Sequence, residues 1–192
     1  MKKTSVHGFT LVELLVSISV IAILSTVGFI EYRTFSANQI LNSSVNDVQS
    51  FLRVAQSNAT AAVTLTSGGV NYSCKNWVAT FRTDGKNIDL ICEEAVLVNY
   101  QDHIKSTLIL PANVTIGGIS TSCIGSTFPT YSTSVAFSAL YGKPSIVMAR
   151  GAGPPSECIS TTDMIVTIQY SQGSTTFTKK ITISTGGKID AE

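Results

Sequence analysis

Four cysteines, Cys74, Cys92, Cys123 and Cys158, are the residues best equipped for covalent or metal chemistry. They can close two disulfides in three ways, hold a tetrahedral zinc ion, or stay as buried thiols. No C-x-x-C pair occurs, which disfavours zinc. An Asp84-Gly85 turn signal between the first two would bring Cys92 back alongside Cys74. That favours Cys74–Cys92 and leaves Cys123–Cys158. Of the two histidines, His7 and His103, the second follows Asp102. Adjacent strand side chains point to opposite faces, so Asp102-His103 reads as exposed loop and not as a catalytic dyad. Asp89, Glu93 and Glu94 lack the Asp-x-Asp-x-Asp spacing of a strong calcium loop and read as a solvated turn. Gly151-Ala152-Gly153-Pro154-Pro155 is followed by Ser156-Glu157-Cys158, not by the Gly-Lys-Ser/Thr of a phosphate loop, so a rigid exposed loop is expected. Asn42, Asn58, Asn71 and Asn113 open N-x-Ser/Thr sequons, which arise by chance in a Ser/Thr-rich chain. Lys179, Lys180 and Lys188 could neutralise phosphates, but Asp190 and Glu192 offset them. These residues assemble no catalytic set. The chain reads as no enzyme, with no cofactor and no metal.

The elements that carry them differ sharply along the chain. The 192 residues hold 44% hydrophobic and only 13% charged residues, against about 25% charged in an average soluble domain. That excludes a solvated disordered protein and a basic nucleic-acid scaffold. Thirteen basic against twelve acidic residues give no steering field. The apolar residues concentrate at the N-terminus. Phe9 to Ile30 is a 22-residue run with one charge, Glu13. About 20 such residues cross a bilayer as a helix. The run is too long for an ordinary secretory signal and no A-x-A-type cleavage site follows it. Lys2 and Lys3 would hold the short leading end in the cytoplasm. A plain signal anchor would explain the hydropathy alone. Glu13 argues for more, because a carboxylate in mid-bilayer costs about 2–3 kcal/mol and marks a functional position by default.

From Leu41 the apolar residues Val45, Val48, Leu52, Ala55, Ala59 and Ala62 follow at steps of three and four. That is one helical stripe, widened by Phe51 and Val54. Asn46, Asp47, Gln49, Ser50, Arg53 and Asn58 form the opposite face. Ser67-Gly68-Gly69 reads as a stop, ending the helix near Thr66. The small alanines suit packing on a sheet better than an intermolecular coiled coil. Beyond Gly69 the period becomes two. Trp77, Ala79 and Phe81 alternate before the Asp84-Gly85 turn, and Ile88, Leu90 and Cys92 alternate after it. Val96–Tyr100, Thr107–Leu110, Val114–Ile119, interrupted at Gly117-Gly118, and the alternating Val135, Phe137 and Ala139 add further strands. Met164–Tyr170 pairs with Thr176–Ser184 across Ser171-Gln172-Gly173-Ser174. Lys179 would share the face of Phe177, Ile181 and Ile183 at a sheet edge, where a charge blocks aggregation. Six to eight short strands predict an antiparallel sheet or sandwich.

Gly8-Phe9-Thr10-Leu11-Val12-Glu13-Leu14-Leu15-Val16 resembles the class III leader junction of type IV pilins and type II secretion pseudopilins. The resemblance implies cleavage after Gly8 by a prepilin peptidase and N-methylation of Phe9. Glu13 then becomes the fifth residue of the mature chain, at the place of the family's near-invariant glutamate. In the family it pairs with the positive N-terminus of a neighbouring subunit and sets the axial register. His7 would leave with the leader. Removing Lys2 and Lys3 leaves 11 basic residues against 12 acidic ones, a net charge of −1. Where many major pilins carry a kinking proline this chain has Ile30, with Gly28 the nearest helix-weakening residue.

The resemblance implies an α+β, pilin-like fold with a long helix on an antiparallel β domain. Its parts would be a leader (1–8), a transmembrane or filament-core helix (9–30), an amphipathic continuation (31–66) and an extracytoplasmic β-rich domain (67–192). Leu52-Arg53-Val54-Ala55-Gln56-Ser57-Asn58-Ala59 is similar to a stretch of GspH/FimT-type minor pilins and pseudopilins. Phe137-Ser138-Ala139-Leu140-Tyr141-Gly142 and Ile181-Thr182-Ile183-Ser184-Thr185-Gly186-Gly187 look like that group's late strand-plus-glycine repeats. The implied protein is a single-pass inner-membrane precursor with its C-terminal part outside, assembled into a pilus or pseudopilus. Its partners would be the peptidase, the assembly platform and its ATPase, other subunits and the membrane. A membrane-anchored or pilus-tip adhesin or DNA-uptake receptor, with nucleic acid as partner, is the alternative from a second class. A tethered enzyme is a third.

Overall fold

Helix-forming residues with no proline between Leu11 and Thr60 give one long helix, α1, Leu11–Thr60. It is the first element of the computed structural model, which describes residues 9–94, 102–121, 133–138, 144–148 and 163–192. α1 continues through Gly28. The chain divides into two compact units, Met1–Gln39 and Ile40–Glu192, and α1 contributes to both.

In the second unit α1 buries the expected stripe. Leu41, Val45, Val48, Leu52, Ala55 and Ala59 are all buried. Val54 is 47% exposed, because two residues from Leu52 it points away from the stripe. The polar face is put to use: Gln49 donates to the Ile189 carbonyl at 2.8 Å, and Gln56 to the Gly187 carbonyl at 2.9 Å.

The helix ends at Thr60, not near Thr66. The Val63 N–H bonds the Asn58 carbonyl at 3.0 Å and the Ala62 N–H the Ala59 carbonyl at 3.1 Å. This is a Schellman cap with Ala62 at its left-handed position, φ 48°. Ser67-Gly68-Gly69 has a different role. Two short strands, β1 Leu65–Ser67 and β2 Val70–Tyr72, pair across it. Gly68 and Gly69 both have positive φ, the requirement of a tight type I′ hairpin.

The remaining strands are β3 Cys74–Phe81, β4 Asn87–Glu94, β5 Asp102–Ile109, β6 Val114–Ser120, β7 Thr133–Ser138, β8 Pro144–Met148, β9 Met164–Gln172, β10 Thr175–Ile183 and β11 Ile189–Ala191. With β1 and β2 this makes eleven among the described residues, more than the six to eight expected. β3, β4, β7, β9 and β10 are the strands the alternation marks; β5 starts at Asp102, ahead of the expected Thr107–Leu110 run, and β1, β2, β8 and β11 are short additions. The Val96–Tyr100 run, Ala139 and the Gly151–Pro155 loop lie outside the described residues. All pairings are antiparallel. One sheet has the order β5-β4-β3-β7-β8, a second β11-β10-β9-β6, and β1-β2 stand as a pair. Trp77, Ala79 and Phe81 on β3 face Cys92, Leu90 and Ile88 on β4, and Phe137, Val135 and Thr133 on β7. All nine are buried. In the second sheet Met164, Val166 and Ile168 on β9 and Ile181 and Ile183 on β10 form the buried face. Gly117-Gly118 does not end β6; it makes the bulge in the β6–β9 pairing.

The Asp84-Gly85 turn joins the two sheets. Gly85 has φ +66°, and its carbonyl accepts the Ile116 N–H of β6 at 2.7 Å. The Asp84 carboxylate accepts the Lys86 and Asn87 amides at 2.8 and 3.0 Å and the Asn87 side-chain amide at 2.5 Å. Burial pushes the Asp84 carboxyl up, but those hydrogen bonds and the Arg82 charge outweigh it and hold the group below its ordinary value.

Two measurements check this. Ala62 keeps a Cβ where the backbone is left-handed, so Ala62→Gly should stabilise the chain by about 0.5–1 kcal/mol in denaturant unfolding; a destabilised variant would show that the cap does not hold. A carboxylate held low in the folded state stabilises above its unfolded value, 3.8, and that contribution is lost as pH falls through the lower folded value. Asp84→Ala should therefore cost stability at neutral pH, and its difference from the wild type should shrink as pH falls below about 4. A pH-independent difference would remove the carboxylate from the turn's stability.

Candidate functional site

The N-terminal segment is built from the helix start outward. Phe9 and Thr10 precede α1, and Phe9 is 78% exposed. The Thr10 hydroxyl oxygen accepts the Glu13 N–H at 3.2 Å, and the Thr10 carbonyl accepts the Leu14 N–H at 3.2 Å. Thr10 is thus the N-cap and Glu13 the third helical residue, the spacing of a capping box. The capping role was readable from Thr-x-x-Glu ahead of an apolar run, though the resemblance alone directs attention to Glu13. A carboxylate in the first turn faces the positive end of the helix dipole. Among the described residues the Glu13 carboxylate has no hydrogen-bond or ion-pair partner. Gly8 lies outside the described residues.

Beyond Glu13 the helix presents apolar side chains to its surroundings. Leu14, Leu15, Val16, Ile18, Ile21, Ile23 and Leu24 are all exposed. α1 is long and apolar enough to cross a membrane, and none of its apolar window is buried. Its hydroxyls are satisfied within the helix. Ser17 donates to the Glu13 carbonyl at 2.7 Å, Ser19 to Leu15 at 2.8 Å, Ser25 to Ile21 at 2.7 Å and Thr26 to Ile23 at 2.7 Å. A polar group that bonds its own backbone removes most of the cost of entering hydrocarbon. The segment therefore suits lipid, or neighbouring helices, at every described hydroxyl.

The structure joins Cys74 to Cys92 in a disulfide with Cα atoms 5.2 Å apart. The bond closes a sequence separation of 18, worth about 3 kcal/mol on a chain-entropy account. Cys123 and Cys158 lie outside the described residues.

Two readings of polar residues are corrected. His103 is not on an exposed loop. It stands in β5 opposite Cys92, half-buried, with its ring 3.8 Å from that of Tyr72 and its buried Nε2 without a hydrogen-bond partner among the described residues. Asp89 is not in a solvated turn. It is buried in β4, where β3 and β5 flank it on either side. Its Oδ2 is 2.5 Å from Arg82 Nε, and its Oδ1 accepts the Thr107 hydroxyl at 2.6 Å. The Asp89 hydrogen bond and charge raise the Arg82 pKa. Glu93 accepts from the Asn76 amide at 2.6 Å. Asp89 and Glu93 are thus engaged separately, Glu94 ends β4 and is not part of a turn, and the described residues contain no group of three His, Cys, Asp or Glu able to hold a metal ion.

Lys179 shares the face of Phe177, Ile181 and Ile183 and is half-buried. Lys188 lies 2.7 Å from Asp190, whose hydrogen bond and charge raise its pKa. One contact had no local signal: Lys105 Nζ sits 4.9 Å over the Trp77 ring. Lys105 is the extra residue at the bulge in the β4–β5 pairing, where Leu90 faces Ser106 and Ile91 faces Ile104.

Residues 3–29 match the family model for the prokaryotic N-terminal methylation motif. No curated protein and no solved structure matches the chain. The matched segment runs from the leading residues into the apolar first part of α1, and the antiparallel sheets lie beyond it.

Proposed function

We propose that the chain is a structural subunit, a minor pilin or pseudopilin, that is processed at Gly8–Phe9 and assembled into a helical filament. The observation that carries this is the junction of the methylation motif with the first part of α1, whose apolar window is uncovered and whose hydroxyls are internally satisfied. A prepilin peptidase would remove residues 1–8, and the new Phe9 amine would take a methyl group from the peptidase's methyl-donor cosubstrate. The segment 9–30 would wait in the inner membrane as a single-pass anchor, with the β-rich unit outside. An assembly platform would then draw it into a bundle of like helices. Packing among them replaces packing against lipid, so extraction does not cost the full transfer energy. The sheets and their turns would form the filament surface. The Leu52–Ala59 stretch of α1 and the run of β10 into Gly186-Gly187 support a subunit of GspH/FimT type.

Mass spectrometry of the chain from its host membrane should find Phe9 as the first residue, carrying one methyl group. An intact Met1, or any other start, overturns the proposal. Glu13→Ala should leave cleavage and membrane insertion intact while filament incorporation falls at least about tenfold, the scale of losing one ion pair in a low-dielectric site. Undiminished incorporation would reduce the chain to a tether for its outer unit.

A further inference from the structure

We infer that Tyr32 and Phe35 form an interfacial anchor: their rings sit at the headgroup boundary of the outward membrane leaflet and set the depth of α1. The inference rests on the reading that the first part of α1 is a single-pass membrane anchor. Among the described aromatic side chains only Phe9, Tyr32 and Phe35 are exposed; the others are buried or half-buried. Phe9 opens the apolar run, and the other two stand just past its end at Ile30. Tyr32 is 67% and Phe35 60% exposed. Among the described residues neither has a ring contact, whereas Tyr72, Tyr170 and Phe177 do.

The spacing fits a bilayer. α1 is unbroken from Leu11 past Phe35, so axial distances follow from the helical rise. Leu11 and Tyr32 stand about 31 Å apart along the axis, the thickness of the hydrocarbon core. Residues three apart share a helix face. Helical side chains lean toward the N-terminus, so the Phe35 ring reaches back toward the level of Tyr32. Glu31 and Arg33 flank Tyr32 and are the first charges after Glu13. Apolar run, aromatic pair and charges thus follow the order of hydrocarbon, interface and water. A tyrosine ring lays its apolar body on acyl chains and gives its hydroxyl to headgroups or water. With Tyr32 at one boundary, Glu13 lies about 28 Å away along the axis, at the opposite boundary. There a carboxylate costs less than at the bilayer centre.

The test uses the full chain in vesicles of phosphatidylethanolamine and phosphatidylglycerol, with para-fluorophenylalanine replacing Phe35 as a fluorine NMR probe. A lipid nitroxide near the headgroup should broaden the fluorine line at least about twofold more than one at the acyl-chain end. Tyr32→Ala should lower that ratio about twofold, and Tyr32→Trp should keep it, since tryptophan also prefers the interface. In a chain that floats with the vesicles, stronger broadening by a water-soluble paramagnet than by either lipid overturns the inference and leaves the single-pass reading standing. A ratio unchanged in Tyr32→Ala also overturns it, because the ring would not hold the depth. So does a ratio that changes with the protein-to-lipid ratio, which would put the rings against a second copy of the chain. A chain that does not float with the vesicles removes both.

Discussion

One helix has to satisfy two kinds of surroundings, and the rest of the molecule follows from how it does so. From Leu11 to Leu24 the apolar residues point in every direction and are exposed. From Leu41 to Ala59 they collapse onto one buried stripe. The backbone hydrogen-bond pattern does not change between these stretches; only the side-chain pattern does. In the first, each described hydroxyl turns back onto its own backbone. In the second, side chains beside the stripe reach out: Gln49 and Arg53 both donate to the Ile189 carbonyl and Gln56 to the Gly187 carbonyl. A self-contained segment can exchange one apolar environment for another. A segment whose polar groups are committed to distant carbonyls cannot, so the helix is anchored where its donors face the C-terminal strand.

That commitment explains where the unit Ile40–Glu192 places its few strong polar contacts. The sheets carry little charge, and the ionic groups they do use sit at joints. Arg82, Asp89 and Thr107 tie three neighbouring positions across β3's end, β4 and β5. Asp84 closes the turn whose Gly85 carbonyl reaches β6 in the other sheet. The Trp77 indole donates to the Val63 carbonyl at 3.2 Å, just past the helix cap. The Cys74–Cys92 bond fastens the hairpin that carries Trp77, Arg82 and Asp89. Buried apolar area supplies the bulk of the stability; these contacts fix which way the layers connect.

The legible parts of the sequence were those where one local pattern has one physical solution. The Leu41-to-Ala59 spacing admits one helical face, and Trp77-Ala79-Phe81 admits one strand face. Cys74 and Cys92 flank a single turn signal, so their meeting follows from a local hairpin. Ser67-Gly68-Gly69 was ambiguous because left-handed glycines serve helix ends and type I′ hairpins alike. The actual cap used Ala62, a residue type that signals helix and not termination. Asp89 misled because a carboxylate suggests water, while its burial depends on Arg82 and Thr107 arriving from strands on either side. His103 misled likewise: its cover comes from Tyr72, on a hairpin far away in the chain. Thr10 was legible through its spacing to Glu13, and it drew less notice than the carboxylate.

Glu13 is the remaining tension, and under the proposed assembly its energetics would favour a carboxylate over a leucine. As the third helical residue it gains about 0.3–1 kcal/mol from the positive helix end. A carboxylate in mid-bilayer costs about 2–3 kcal/mol, less near the interface. The helix end therefore reduces the cost of Glu13 in lipid without cancelling it. Under the proposed processing, cleavage also creates an amine on Phe9 at that same positive end, where a cation is disfavoured. Each processed chain would then hold one anion short of a partner and one cation poorly placed. Under the proposed assembly, two neighbouring chains would relieve both with a single contact at one axial offset. A leucine at this position would lower the cost of insertion, yet its packing against neighbouring helices is nearly as good at one offset as at the next. Under the proposed assembly, the carboxylate would make the membrane state slightly worse and one arrangement of the filament distinctly better than its neighbours.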